Sequence, residues 1–210
     1  MAKIGTRKKP EMPATLVETE RTVDVPKSAD DPGATLACSV VMPKSPSGKV
    51  PAVVFVTGSG PQDRDEDTPG EGGVKLSLFK TMAIALGNAG IASIRCDDRG
   101  TGASKGDYLS TTLYSLTRDS RALVDNLRKD AAIDPARVGI VGHSEGGVVA
   151  TRVVAEDKKL KAVVLMSTFA RPLADIVLLQ LESTMKKLGM PDDKVKERVA
   201  LQKSMNDAIK

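Results

Sequence analysis

Gly142-His143-Ser144-Glu145-Gly146 sets a serine at the centre of a G-x-S-x-G pentapeptide. It directly follows the β-branched run Val138–Val141 and directly precedes the small-residue stretch Glu145–Ala155, which reads as a helix. Alone, such a Gly/Ser pattern recurs by chance. Between a strand and a helix it specifies a nucleophile elbow, a strained turn that lifts the serine Oγ off a sheet. Gly142 and Gly146 remove the Cβ atoms that would clash with the tight turn and the close helix–strand packing. The helix N-terminus behind Ser144 offers free N–H groups and a positive dipole to a developing oxyanion. Residues of these types in this pattern suit attack on an acyl carbon through a covalent acyl-serine.

Two more loops follow strand-like runs. Thr57-Gly58-Ser59-Gly60-Pro61-Gln62-Asp63-Arg64-Asp65 comes after Val50–Val56 and can present backbone N–H groups to the same oxyanion, with Ser59 as donor beside the N–H of Glu145. Gly-rich turns also cradle phosphates, but no Gly-Lys-Ser/Thr closes this one as a P-loop would. Arg95-Cys96-Asp97-Asp98-Arg99-Gly100-Thr101-Gly102 resembles a dinucleotide loop until its spacing is counted. The third glycine would fall at 105, where Lys105 stands, and a polar loop follows instead of a helix. This segment reads as a structural turn held by Asp97–Arg99 ion pairs. His143-Ser144-Glu145 fits the H-x-E of zinc deaminases, but no Pro-Cys-x-x-Cys follows, and no other cluster has metal-ligand spacing. Neither a cofactor nor a metal is expected.

The elements that must position these loops alternate. Glu20–Val25 and Thr35–Met42 read as strands across the turn-rich Ser28–Gly33, and Val50–Val56 as a strand buried on both faces. A helical stripe at Phe79, Met82, Ala83 and Leu86 closes at Gly87–Gly90, and Ile91–Arg95 is a short strand. Leu113–Leu127 forms a second helix capped by Thr111 or Thr112, then come strand Arg137–Val141, helix Glu145–Ala155 and strand Lys161–Met166. The rhythm implies an α/β class, doubly wound and mostly parallel, with right-handed crossovers. Two amphipathic helices, through Leu173–Leu188 and Val195–Ile209, end the chain without a further strand.

Gly58-Ser-Gly-Pro-Gln-Asp-Arg-Asp65, Arg95-Cys-Asp-Asp-Arg-Gly100 and Gly142-His-Ser-Glu-Gly-Gly147, in that order and spacing, resemble the α/β-hydrolases of the bacterial esterase type. The likeness covers roughly residues 35 to 209, and Leu178-Leu-Gln180 resembles the first helix of that family's cap. It implies hydrolysis of small-molecule carboxylic esters through an acyl-enzyme on Ser144, with backbone oxyanion contacts from Ser59 and Glu145. Its catalytic triad follows the chain order Ser, Asp or Glu, His. The only histidine here is His143, and it precedes the serine. A neighbour on so sharp a turn points away, so His143 reads as a packed residue beside the elbow. The resemblance implies two further strands beyond the cap, carrying the acid and the histidine. The expectation is therefore an α/β-hydrolase fold incomplete at its C-terminal part: a polar arm at 1–18, a core at 19–170 and the start of a helical cap at 171–210. Such a chain is weakly active or inactive, with Lys161–Met166 left as a sheet edge and the cap helices left exposed, both open to self-association. A serine peptidase or acyl transferase of the same fold, or a non-catalytic binding fragment, are the alternatives.

Composition sets the outer bounds. In 210 residues, 40% are apolar and 28% charged, and no apolar run approaches the roughly 20 residues that span a bilayer. The net charge of +4 is concentrated in Met1–Pro13, where Lys3, Arg7, Lys8 and Lys9 face only Glu11. With five aromatic residues and no tryptophan, the stacking platform of a nucleic-acid binder is absent. Cys38 and Cys96 fit no metal spacing, and no apolar stretch follows the basic N-terminus as in a signal peptide. Reduced thiols and a cytoplasmic location are the expectation.

Overall fold

In chain order the elements are β1 (Leu16–Val25), β2 (Ala34–Pro43), β3 (Val50–Val56), α1 (Leu78–Asn88), β4 (Ala92–Cys96), α2 (Leu113–Lys129), β5 (Ile133–His143), α3 (Glu145–Glu156), β6 (Ala162–Met166), α4 (Leu173–Lys187) and α5 (Asp192–Ala208). The structure is a computed structural model that describes residues 9–71 and 73–208. The first eight residues of the expected arm lie outside it. Strand β1 starts at Leu16, four residues earlier than the sequence pattern suggested, because Leu16 is itself a buried core residue.

One six-stranded sheet runs β1-β2-β4-β3-β5-β6. The pairs β4–β3, β3–β5 and β5–β6 are parallel, and β1 and β2 join as antiparallel strands. Alternation along the central strands divides the core into two layers. Val54, Val56, Val40 and Ile140 face one side, with Leu123, Val124 and Leu127 of α2 and Val149, Ala150 and Val153 of α3. Phe55, Val41 and Val141 face the other, with Phe79 and Ala83 of α1, and the rings of Phe55 and Phe79 stack at 4.7 Å. Helix α2 starts at Thr112, whose hydroxyl accepts the Ser115 N–H. Of the Gly87–Gly90 stretch expected to close α1, Gly87 is buried inside the helix, where a Cβ would lie 2.9 Å from Leu16 Cδ1; the helix ends one residue later and Gly90 takes the positive φ.

Two expectations are corrected here. The antiparallel register of β2 and β4 sets Cys38 directly opposite Cys96, and the two are joined in a disulfide instead of standing as reduced thiols. The turn after β4 is indeed held by ion pairs, but Asp97 and Arg99 do not pair with each other. Asp97 receives the Arg64 guanidinium through Nε at 3.0 Å and Nη2 at 2.9 Å. Arg99 inserts between Asp31 (2.7 and 3.0 Å) and Asp119 (2.7 and 2.6 Å), both far away in sequence. Burial opposes ionisation of Asp31, and the bonds from Arg99 and the Gly33 N–H outweigh it, holding its carboxyl well below the usual range.

The chain divides into two compact units, residues 1–168 and 169–210. The first ends in β6, beyond which no strand pairs among the described residues. Val163, Val164 and Leu165 are 42%, 47% and 46% exposed, so successive residues on both faces of this strand meet solvent. The second holds α4 and α5, with Met185 and Val195 buried while Leu173, Leu179, Leu188, Leu201 and Met205 are exposed. No helix among the described residues is long and apolar enough to cross a membrane.

Because Arg99 neutralises two buried carboxylates and Arg118 reaches Asp31 only at 3.3 Å, Arg99→Ala is expected to cost about 3 kcal/mol of unfolding free energy at pH 7. The depressed Asp31 contributes stability above its unfolded pKa and loses it on acidification, so the wild-type advantage shrinks as pH falls below about 4. Urea unfolding of both proteins across that range checks the size and the direction.

Candidate active site

Ser144 is the residue between β5 and α3. Its φ of 51° and ψ of −117° leave every region open to an ordinary L-residue. Such a conformation costs on the order of 1–3 kcal/mol and persists only where the surroundings enforce it. Two backbone bonds do so directly: Ser144 N–H donates to Met166 O of β6 at 2.8 Å, and its carbonyl accepts from Gly147 N–H at 3.1 Å.

The flanking glycines leave no room for side chains. A Cβ on Gly142 would lie 2.2 Å from Gly146 O, and one on Gly146 would lie 2.3 Å from both Val56 O and Thr57 O. A Cβ on Gly147 would meet Thr168 Oγ1 at 1.8 Å. The first helical turn thus lies flat on the end of β3, where the Gly-rich loop begins. That loop also covers the elbow: from the Cβ position of Gly58, Ser144 Cβ is 3.4 Å away. Among the described residues, neither the Ser59 nor the Glu145 amide N–H has a hydrogen-bond partner, and the same holds for Ser144 Oγ.

Side chains from elsewhere hold the loop in place. Asp98, at the end of β4, accepts from Thr57 Oγ1 at 2.7 Å and from Gln62 N–H at 2.9 Å, and its own N–H donates to Gln62 O. Burial pushes its carboxyl up to about 7, against the pull of those two donors. Glu66 Oε1 accepts the Gly58 N–H at 2.9 Å and lies 2.6 Å from His143 Nδ1. Burial raises the Glu66 carboxyl above its ordinary range, opposed by His143 and the Gly58 N–H. His143, the neighbour of Ser144 on the turn, thus has its Nδ1 against Glu66. A cleft lined by Thr57, Gly58, Asp98, Tyr108, Leu116 and Asp119 opens at the base of the loop; Ser144 does not line it.

Sequence reading missed Glu66 and Asp98. Each sits in a run of acids, Asp63–Asp67 and Asp97–Asp98, where nothing in the order of residues separates a brace from a surface charge. Asp63, Asp65 and Asp67 bring carboxylate oxygens within 4.8 Å of one another. Those oxygens are already committed: Asp63 to the amides of Asp65 and Asp67, Asp65 to Arg95 and Lys9, Asp67 to Ser77. The cluster braces a turn.

A strained serine between strand and helix, beside a Gly-rich loop, invites comparison with known proteins. The family model described as serine aminopeptidase, S33, a hydrolase family, matches residues 73–208. The chain belongs to this family of α/β-hydrolases. Esterase EstD of Thermotoga maritima is 36% identical over 144 residues, which is 68% of this chain and 32% of that protein. Protein PA2218 of Pseudomonas aeruginosa is 29% identical over 139 residues, 65% of this chain and 34% of its own length. Its crystal structure superposes with a TM-score of 0.62 at 21% identity, covering 91% of this chain and 60% of that one. Est1E of Butyrivibrio proteoclasticus, solved with bound ferulic acid, has a TM-score of 0.53 at 24% identity over 68% of this chain and 50% of its own. This α/β-hydrolase chain spans about a third of the length of the curated relatives it matches.

Two outcomes follow from the strain and the buried acid. Ser144→Gly, which frees the backbone at φ 51°, is expected to unfold at higher urea than Ser144→Ala, by about 1 kcal/mol. Asp98 titrates near 7 in the folded chain and near 4 when unfolded. Through this group the wild type therefore loses stability as pH rises between those values, a loss that Asp98→Asn removes. The variant is expected to gain up to about 4 kcal/mol on the wild type between pH 4 and pH 8, read from urea midpoints.

Proposed function

We propose that Ser144 is the nucleophile of a carboxylic ester hydrolase, and that the Ser59 and Glu145 amides receive the oxyanion. The observation that carries the reading is the backbone of Ser144, a non-glycine residue at positive φ with an unbonded hydroxyl at a helix N-terminus. Oγ attacks the ester carbonyl carbon, its proton passes to a base, and the carbonyl electron pair moves to oxygen. Collapse expels the alcohol with a proton and leaves an acyl-serine, which water then cleaves. Gly142 and Gly146 take part through the space they leave. No cofactor or metal is required for these steps. Similarity to an esterase along 68% of the chain supports an ester substrate; the aminopeptidase description of the matching family supports a peptide as the second reading.

The step short of a partner is proton removal. The one histidine of these 210 residues presents Nδ1 to Glu66, and Ser144 Oγ has no hydrogen-bond partner among the described residues, so we read the serine as a neutral hydroxyl. Loss of the triad histidine in a serine hydrolase costs on the order of 10⁶ in kcat, while about 10³–10⁴ over water survives from the oxyanion hole and binding. The chain by itself is accordingly a feeble hydrolase. Its open β6 edge and exposed cap-helix leucines favour self-association.

Intact mass after exposure to a fluorophosphonate probe tests both parts. Slow, single labelling that disappears in Ser144→Ala is expected. Labelling that persists in Ser144→Ala, or none after prolonged exposure, removes Ser144 from the role. Stoichiometric labelling within minutes would show a base at work and overturn the account of weak activity. Parallel p-nitrophenyl ester and peptide nitroanilide panels separate the two substrate readings.

A further inference from the structure

Glu66 combines three features that folding alone does not call for. Its side chain is 4% exposed, yet only one carboxylate oxygen is partnered: Oε2 is buried without a hydrogen bond. A half-satisfied buried acid is costly. Its backbone sits at φ 63°, in the left-handed region that a branched or long side chain avoids. The turn is held there by the Asp63 carboxylate, which takes the N–H groups of Asp65 and Asp67, and by Glu66 N–H donating to Asp63 O. Strain and unmet polarity at one residue mark a position kept for its contacts.

Those contacts are specific. Oε1 takes the N–H of Gly58 and faces Nδ1 of His143. Gly58 directly precedes Ser59, and His143 directly precedes Ser144. One oxygen atom therefore joins the residue before the oxyanion-loop amide to the residue before the nucleophile. A Cβ on Gly58 would lie 3.4 Å from both His143 Nδ1 and Ser144 Cβ, so the loop passes close to the elbow at this point.

We propose that Glu66 is a positioning residue that, through His143 and the Gly58 amide, fixes the oxyanion loop against the nucleophile elbow. This rests on the reading of Ser144 and Ser59 given above. It acts through its neighbours and touches no reacting atom. It also fixes the histidine's tautomer. An oxygen that already accepts the Gly58 N–H accepts again from Nδ1–H, which leaves Nε2 as the bare nitrogen. The ring is thereby held in one orientation, as a strut between Glu66 and the elbow.

A chain with a single histidine makes the test direct, because one ring gives one set of signals. In ring-¹⁵N-labelled wild type at pH 8, long-range ¹H–¹⁵N correlation is expected to show the Nδ1–H tautomer. Glu66→Ala should release it toward Nε2–H and speed exchange of the Gly58 amide about 100-fold. Amides of β3 and β5 should keep their protection, which separates a local loss from unfolding. Glu66→Gln retains an acceptor at Oε1 and should rescue both signals. The functional arm is fluorophosphonate labelling of Ser144, expected to slow about tenfold or more in Glu66→Ala and to recover most of its rate in Glu66→Gln. Wild-type tautomer and Gly58 exchange unchanged in Glu66→Ala would overturn the proposal, as would labelling at the wild-type rate. If the wild type does not label at all, the reading of Ser144 falls, while the tautomer and exchange signals still decide whether Glu66 ties loop to elbow.

Discussion

The backbone at Ser144 is the constraint around which the rest of this molecule is arranged. A serine held at φ 51° and ψ −117° gives up local stability. The sheet makes that tolerable by fixing both sides of the turn. Strand β5 is paired on one side by β3 and on the other by β6, and the carbonyl of Met166 takes the Ser144 N–H. Helix α3 is pressed onto the end of β3 because Gly146 has no Cβ to hold it away. Remove any of these supports and the turn has no reason to stay where it is.

A second layer of the design is electrostatic. The loops after β3 and β4 carry many acids and arginines, and few of them are free. Arg64 clamps Asp97, Arg95 reaches Asp65 and Glu18, and Arg99 joins Asp31 to Asp119. Buried ion pairs of this kind contribute little net stability against an apolar replacement, yet losing one partner is costly. Their effect is to give each loop a single conformation. Asp98 then closes the Gly-rich loop by holding Thr57 and Gln62, the residues at its two ends. The amides of Ser59 and Glu145 are left without hydrogen-bond partners among the described residues.

The sheet is uneven in what it covers. Its centre is fully enclosed, with Val54, Ile94, Ile140 and Val138 essentially inaccessible. At β6 the enclosure ends, and Val163, Val164 and Leu165 meet solvent at nearly half of their surface. A parallel strand with both faces exposed is unusual, since such strands are ordinarily buried on both sides. The same strand supplies the carbonyl that holds the Ser144 N–H, so the least covered part of the sheet lies one hydrogen bond away from the strained turn.

Much of this was readable in the sequence, for a simple reason: it depends on local order. Periodicity two and periodicity 3.6 located every strand and helix, and Val50–Val56 fell at the observed bounds because an unbroken β-branched run has one comfortable environment. The elbow was legible because its chemistry needs glycines at fixed offsets from Ser144. Only the tertiary structure decided who partners whom. Asp97 and Arg99 are two residues apart and looked like a pair, but each meets an opposite charge delivered by a distant segment. Cys38 and Cys96 are separated by 58 residues and became neighbours through the β2–β4 register. Glu66 was one acid among several until the fold set it between Gly58 and His143. Sequence determines which backbone each segment prefers; the pairing of charges waits on packing, because an ion pair needs proximity in space and carries no trace of it along the chain.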